Sequence, residues 1–340
     1  MTAKKDKAEA AAGLGRYELI ERLSEKSGIR RGGTAFGSNT IAGSNGLLIS
    51  HDIMVEGTDF SLVYFPLKHL GYKLVVRTLA GIYASAGKPS DLIFTLAMSS
   101  RFGEAQASEI IDGIGMASGK YGVQIRYFDL ISSVTGLTLA CTAWGYSDTS
   151  APAAAPPAVN DLVCVTGDLG AAFTGLRILE RERRIFESGA IAQPDLSEYE
   201  YTIGRQLKPE LKIKVLDEMR HRGIIPSATT VVREGLASEA IGLCRERGKG
   251  CRLYYDKIPV DSATERNASE INTDPVVAAL NGGDDYEFLF FIPISQVEAV
   301  NGINDLRMVG YLTEPSEGCR LVTPDGSLVD LSAQGWVANR

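Results

Sequence analysis

Apolar and polar positions along this chain alternate between a period of two and a period near three and a half. The apolar run Leu47-Leu48-Ile49 follows Gly46 and predicts a buried strand, after which come the acids Asp52, Glu56 and Asp59 and a tight bend at Gly57. Leu19, Ile20 and Leu23 predict a short helix over 16–26. Pro66 suits the first turn of a helix that passes Leu70, Leu74 and Val75, turns small and Gly/Ala-rich toward Gly87, and ends at Lys88-Pro89. Small residues would let that helix approach another backbone closely. A strand over 91–98, a helix over 104–121, a strand over 123–128 that delivers Asp129 at its end, and a strand over 136–144 follow.

Residues 151–158 read APAAAPPA, a proline density that fits only a connector. Beyond it, a strand over 162–165 runs into Thr166-Gly167-Asp168-Leu169-Gly170 and a helix reaching 186. A strand, Gly turn and helix can present backbone N–H groups to a phosphate. It is equally the ordinary entry to an α/β unit, in which Asp168 would cap the helix. Amphipathic helices are expected over 206–222 and 233–247, and strands over 251–255 and 287–292. Asn281-Gly282-Gly283-Asp284-Asp285-Tyr286-Glu287 places a Gly-Gly bend and three acids before the last of these, in a pattern that also serves as plain turn chemistry.

Length and charge narrow the picture. The chain has 340 residues, enough for two cores. Its net charge of -7 disfavours nucleic acid as a partner. The cysteines, Cys141, Cys164, Cys244, Cys251 and Cys319, are odd in number and form no CxxC pair, which argues against a disulfide framework or a zinc site and for a reducing, cytoplasmic setting. The charged N-terminus does not read as a signal peptide, and no run is apolar enough to span a bilayer. Residues 32–38 have the glycines of a phosphate loop but lack its lysine. A carboxylate at a strand end beside a Gly bend, as read for Asp52, suits an oxygen ligand for Mg²⁺.

Taken in order, several segments resemble the thiamine-monophosphate kinase family, in the superfamily of aminoimidazole ribonucleotide synthetase. They are DIMVEGTDF at 52–60, GYKLVV and AGKP within 71–89, SSVTGLTLACTAWG at 132–145, VTGDLGAAFTGL at 165–176, RQLKP at 205–209, EGLASE at 234–239, GGDDYEFLF at 282–290 and AQGW at 333–336. The resemblance implies an α/β (α+β) fold: a tail at 1–14, an N-terminal ATP-binding and dimerisation domain at 15–150, a linker at 151–158 and a C-terminal α/β domain at 159–340. It implies a homodimer whose N-terminal domains complete a β-barrel. It also implies ATP as co-substrate, Mg²⁺ as cofactor, and transfer of the γ-phosphoryl group to thiamine monophosphate, giving thiamine diphosphate. Carried over by position, Asp52, Asp129 and Glu234 are the expected metal ligands. Asp129, Gly167, Asp168 and Arg233 are the expected nucleotide contacts, and Asp59, Asp284 and Trp336 the expected substrate contacts.

The sequence departs from the family pattern on its acidic ring. Gly37-Ser38-Asn39 replaces Gly-Asp-Asp, and Thr78-Leu79-Ala80-Gly81 replaces Asn-Leu-Ser-Asp. Tyr127-Phe128-Asp129-Leu130 replaces Gly-Gly-Asp-Thr, and Val231-Val232-Arg233-Glu234-Gly235-Leu236 replaces Asp-x-Ser-Asp-Gly-Leu. Fewer carboxylates imply fewer Mg²⁺ sites. Three readings follow: a kinase with a reduced metal site, a catalytically degenerate binding or scaffolding protein, and a superfamily enzyme with another substrate.

Overall fold

A computed structural model describes residues 16–27, 39–147, 154–189 and 194–333. After helix α1 (Arg16–Ser27) come strands β1 (Thr40–Ala42) and β2 (Leu47–Val55), helix α2 (Leu67–Ala84), β3 (Gly87–Met98), α3 (Glu104–Tyr121), β4 (Gln124–Ser132) and β5 (Thr138–Ser147). These strands form one sheet in the order β1-β2-β5-β3-β4, antiparallel except for β3 and β4. Period-two burial along β2 and β5 sends Leu48, Met54, Leu139, Cys141 and Ala143 inward under α2 and leaves Ile53 and Val55 on the outer face. The helices α2 and α3 cross closely. A Cβ at Gly71 would lie 2.0 Å from the Ile110 carbonyl oxygen, and one at Gly113 would lie 1.8 Å from that of Lys68. Close approach is thus set at Gly71, earlier in α2 than the small-residue stretch suggested.

The second half runs β6 (Leu162–Thr166), α4 (Ala171–Glu187), α5 (Glu200–Leu207), α6 (Ile213–His221), β7 (Ala228–Val232), α7 (Leu236–Arg247), β8 (Gly250–Tyr254), α8 (Ser262–Glu270), α9 (Pro275–Asn281), β9 (Glu287–Ile292), α10 (Val297–Asn301), β10 (Leu306–Thr313), β11 (Cys319–Val322) and β12 (Leu328–Asp330). Its sheet is ordered β12-β11-β8-β10-β6-β9-β7. The apolar run Phe288–Ile292 of β9 is buried on both faces, as a central strand requires. Val163, Val165, Leu289 and Phe291 face α7 in one core. Cys164, Phe288 and Phe290 face the other, which is continuous with the core beneath the first sheet.

Several expected boundaries move. Neither Asp52 nor Asp129 ends a strand: β2 continues to Val55 and β4 to Ser132. Asp52 pairs with Cys141, and Asp129 with Thr95, so both acids sit within the ladder. Pro89 lies inside β3, at a register shift where its missing N–H breaks no regular pair. The expected 206–222 helix is two helices, because Pro209 interrupts it. Helix α7 starts three residues later than its apolar spacing suggested, after Gly235 at φ 99°. The tail at 1–14, Gly37-Ser38, Trp336 and residues 151–153 of the Ala/Pro stretch lie outside the described residues.

Candidate functional site

The two halves meet at a knot of charge. Lys73 and Arg77 stand four residues apart on one face of α2, a helix otherwise buried by apolar contacts. Lys73, fully buried, donates to the Gln206 carbonyl at 2.8 Å and to the Asp284 carboxylate at 2.9 Å. Arg77 reaches three acids: Asp52 at 3.2 Å, Asp59 at 3.4 Å and Asp284 at 3.9 Å. From the loop before α7, Arg233 donates to the second Asp52 oxygen at 2.8 Å. Three cations therefore face three carboxylates. The Ile53 N–H completes Asp52, whose two oxygens are both engaged. Burial pushes the Asp52 carboxyl up, but Arg233 and then Arg77 overcome it and hold the pKa below its ordinary 3.8. Burial likewise opposes ionisation of Asp284, and Lys73 and Arg77 pull its pKa far below the usual carboxylate range.

The loops that deliver these groups are tied together. The Asp284 N–H donates to the Arg233 carbonyl at 2.7 Å and the Tyr286 N–H to the Val232 carbonyl at 3.0 Å. Asp284 and Tyr286 adopt φ of 63° and 54°, a left-handed conformation that costs a non-glycine residue energy and that this pairing maintains. The Tyr286 hydroxyl donates to Asp284 at 2.8 Å. Glu239, buried on α7, accepts the Arg233 and Glu234 backbone N–H groups at 3.3 Å, and burial raises its pKa to about 7.

A second buried group lies at the start of α4. Asp285, the neighbour of Asp284, turns the opposite way and accepts the Gly170 and Ala172 N–H groups at 2.9 and 3.4 Å. The helix N-terminus that sequence offered to a phosphate thus faces a carboxylate of the chain itself. Asp168 caps nothing there. It accepts from the Tyr201 hydroxyl at 2.7 Å and pairs with Arg205 at 3.2 Å. Arg205 also pairs with the buried Glu287 at 3.0 Å. Burial raises both Asp285 and Glu287 to about 7, against which Arg205 acts first. Gly167 lies against this group, where a Cβ would come within 2.5 Å of the Glu287 carboxylate.

The expected site residues separate accordingly. Asp52, Arg233, Asp59 and Asp284 come together with Lys73 and Arg77, which sequence reasoning missed. Two cations four residues apart in an apolar helical run were the available signal. Glu234 lies beside Arg233, partly buried, with its backbone against Gly283. Asp129 lies elsewhere. The row containing Asp52 runs through Cys141 and Phe94 to Phe128, whose ring stacks on that of Phe94 at 5.3 Å. Asp129 belongs to the adjacent row and so points to the opposite face, about 14 Å away across three strand spacings. Within one chain it does not converge with Asp52. At Gly81, where the resemblance leads one to expect an acid, a Cβ would fall 2.1 Å from the buried Thr40 hydroxyl. Two guanidinium groups against Asp52 do not fit a carboxylate-built Mg²⁺ site, since fixed cations repel a further one.

Comparison with known proteins agrees with this fold. The family described as AIR synthase related protein, N-terminal domain, matches residues 34–147. A thiamine-monophosphate kinase of Methanopyrus kandleri is 29% identical over 259 residues, 75% of each chain. The crystal structure of thiamine monophosphate kinase from Aquifex aeolicus superposes with a TM-score of 0.78 at 20% identity, covering 93% of this chain and 98% of that one. A structure of AaThiL complexed with AMPPCP and TMP also gives 0.78, at 21% identity over 93% and 95%. The chain is similar in sequence and in fold to thiamine-monophosphate kinases, and its residues 34–147 match the AIR synthase related N-terminal domain. Before α7, where the resemblance leads one to expect Ser and Asp, this chain has Arg233 and Glu234, and the arginine is hydrogen-bonded to Asp52.

Proposed function

We propose that this relative of the thiamine-monophosphate kinases is a binding protein for phosphorylated ligands of their kind, and not a Mg²⁺-dependent phosphotransferase. One observation carries the reading: the two Asp52 oxygens are held by Arg77 and Arg233, so fixed guanidinium charge stands where a kinase needs carboxylates for Mg²⁺. Arginine presents a planar fork suited to phosphate oxygens, which supports a phosphate ligand at the seam. The AaThiL complex with AMPPCP and TMP supports a nucleotide and thiamine monophosphate as the ligands to try first. A homodimer in the cytoplasm completes the proposal. Ile53, Val55, Tyr127 and Ile131 expose an apolar outer face on the first sheet, which supports pairing with a second copy.

The test is direct. Incubation of the pure chain with ATP, Mg²⁺ and thiamine monophosphate is expected to give no thiamine diphosphate above a no-protein control. Titration calorimetry is expected to show binding of thiamine monophosphate or ATP that is unchanged by EDTA. Turnover that requires Mg²⁺ at a rate of about 1 per second, ordinary for kinases, would return the chain to the enzymes.

A further inference from the structure

Far from this seam, the fold gathers three cysteines that are scattered in sequence. Cys244 lies near the C-terminal end of α7, Cys251 in β8 and Cys319 at the start of β11. Cys251 and Cys319 are directly paired across the parallel β8–β11 ladder, so their side chains share a face. Helix α7 packs on that face and turns into β8 through Gly248, left-handed at φ 62°, which returns Cys251 beneath Cys244. The three sulfurs all lie within 4.8 Å of one another. Cys244 and Cys251 are buried and Cys319 is partly exposed, so the group is reachable from one side. The odd count and absent CxxC pair argued against a metal site. Convergence from three elements is what that arithmetic cannot see.

We propose that Cys244, Cys251 and Cys319 form a site for a thiophilic d¹⁰ cation, bound by three thiolates. Sulfur donors within 4.8 Å need only small rotations to reach a common ion at the roughly 2.3 Å of a metal–thiolate bond. Among the described residues no histidine or acid joins the group, and three soft donors with no fourth suit Cu(I) better than tetrahedral Zn²⁺. Each ligating thiol gives its proton to solvent, so binding weakens as pH falls. The ion would tie β11 to β8 and α7. The site stands about 13 Å along α7 from Gly235 and is independent of the phosphate reading.

The full-length chain, reduced and kept anaerobic, is titrated with Cu(I) against a Cu(I) chelator, with Zn²⁺ in a parallel series. One equivalent of Cu(I), an ultraviolet thiolate-to-copper band and loss of affinity toward acid pH are expected. Cys319→Ser should weaken retention roughly a hundredfold, since ligands matter at least as much as their outer-shell partners. Cys141→Ser, in the first sheet, should leave it unchanged. Mass spectrometry of alkylated wild-type protein, which needs no variant, should show Cys244, Cys251 and Cys319 protected by the ion and released by chelator. Zn²⁺ retention that Cys319→Ser abolishes would support the site with an exogenous fourth ligand. Equal retention by wild type and Cys319→Ser, alkylation of the three thiols indifferent to metal, or a Cys251–Cys319 disulfide that persists in the reduced chain would overturn it.

Discussion

Asp284 and Asp285 are consecutive, yet they belong to two differently solved electrostatic problems. Asp284 joins Asp52 and Asp59 against Lys73, Arg77 and Arg233, and burial there is compensated charge for charge. Asp285 joins Asp168 and Glu287 against Arg205, with a weaker pull from Lys212 on Glu287, and two of those carboxyls are driven up to about 7. Built-in cations hold Asp52 and Asp284 below the ordinary carboxylate range, whereas burial pushes Asp285 and Glu287 above it. The first cluster therefore has little use for a metal, and the second makes the fold sensitive to pH.

The largest effect expected from breaking this contrast is at Arg77. Arg77→Ala removes the group shared by Asp52, Asp59 and Asp284 and should destabilise the chain by about 3–5 kcal/mol in urea titrations, the range for a buried pair left half-paired. Combining it with Asp52→Asn should recover part of that loss. A cost under about 1 kcal/mol would mean the cluster is far wetter than it looks.

Next in size is the pH response. Asp285 and Glu287 have folded pKa values of about 7, above their ordinary 3.8 and 4.5, so the folded chain binds more protons than the unfolded one between those limits. Stability should accordingly be greatest below the unfolded values and decline as pH rises toward 7, at up to about 1.4 kcal/mol per unit for each group. Asp52 and Asp284, shifted down, contribute above their unfolded value near 3.8 and lose that contribution only in acid. Thermal melts of wild type should therefore rise from pH 8 to pH 5, and Glu287→Gln should flatten the rise. A melting temperature that climbs with pH across this window would contradict the assignment.

The smallest effect on the folded chain belongs to the outer face of the first sheet. Ile53→Ser, at a side chain 48% exposed, should shift stability by no more than about 0.5 kcal/mol. Sedimentation should nevertheless show the proposed dimer weakened. Unchanged association would place the pairing surface elsewhere.

Much of this was legible in the amino-acid sequence. The β9 run and the helix over 104–121 were fixed by apolar spacing alone, and the ordered segments pointed to the family. What sequence could not give was direction. Asp52 and Asp129 both read as acids leaving strands, yet they lie inside the ladder in adjacent rows, and a shift of one row is a change of face. Lys73 and Arg77 were hidden because cations on a helix are usually solvated, and only packing of the second half over α2 buries them. Asp285 reaches Gly170 across 115 positions, and the three thiols meet through a parallel pairing between β8 and β11; neither leaves a local trace.

The contact beneath Gly81 couples that position to Thr40. Thr40 has settled into the space that any side chain at position 81 would enter, with its hydroxyl 2.1 Å from where the first carbon would sit and Ser50 close behind at 3.2 Å. An aspartate placed there by a single substitution would crowd the Thr40 side chain. A side chain at position 81 therefore needs the Thr40 side chain to turn away or be replaced, so positions 40 and 81 act as one packing unit whose substitutions should not add independently.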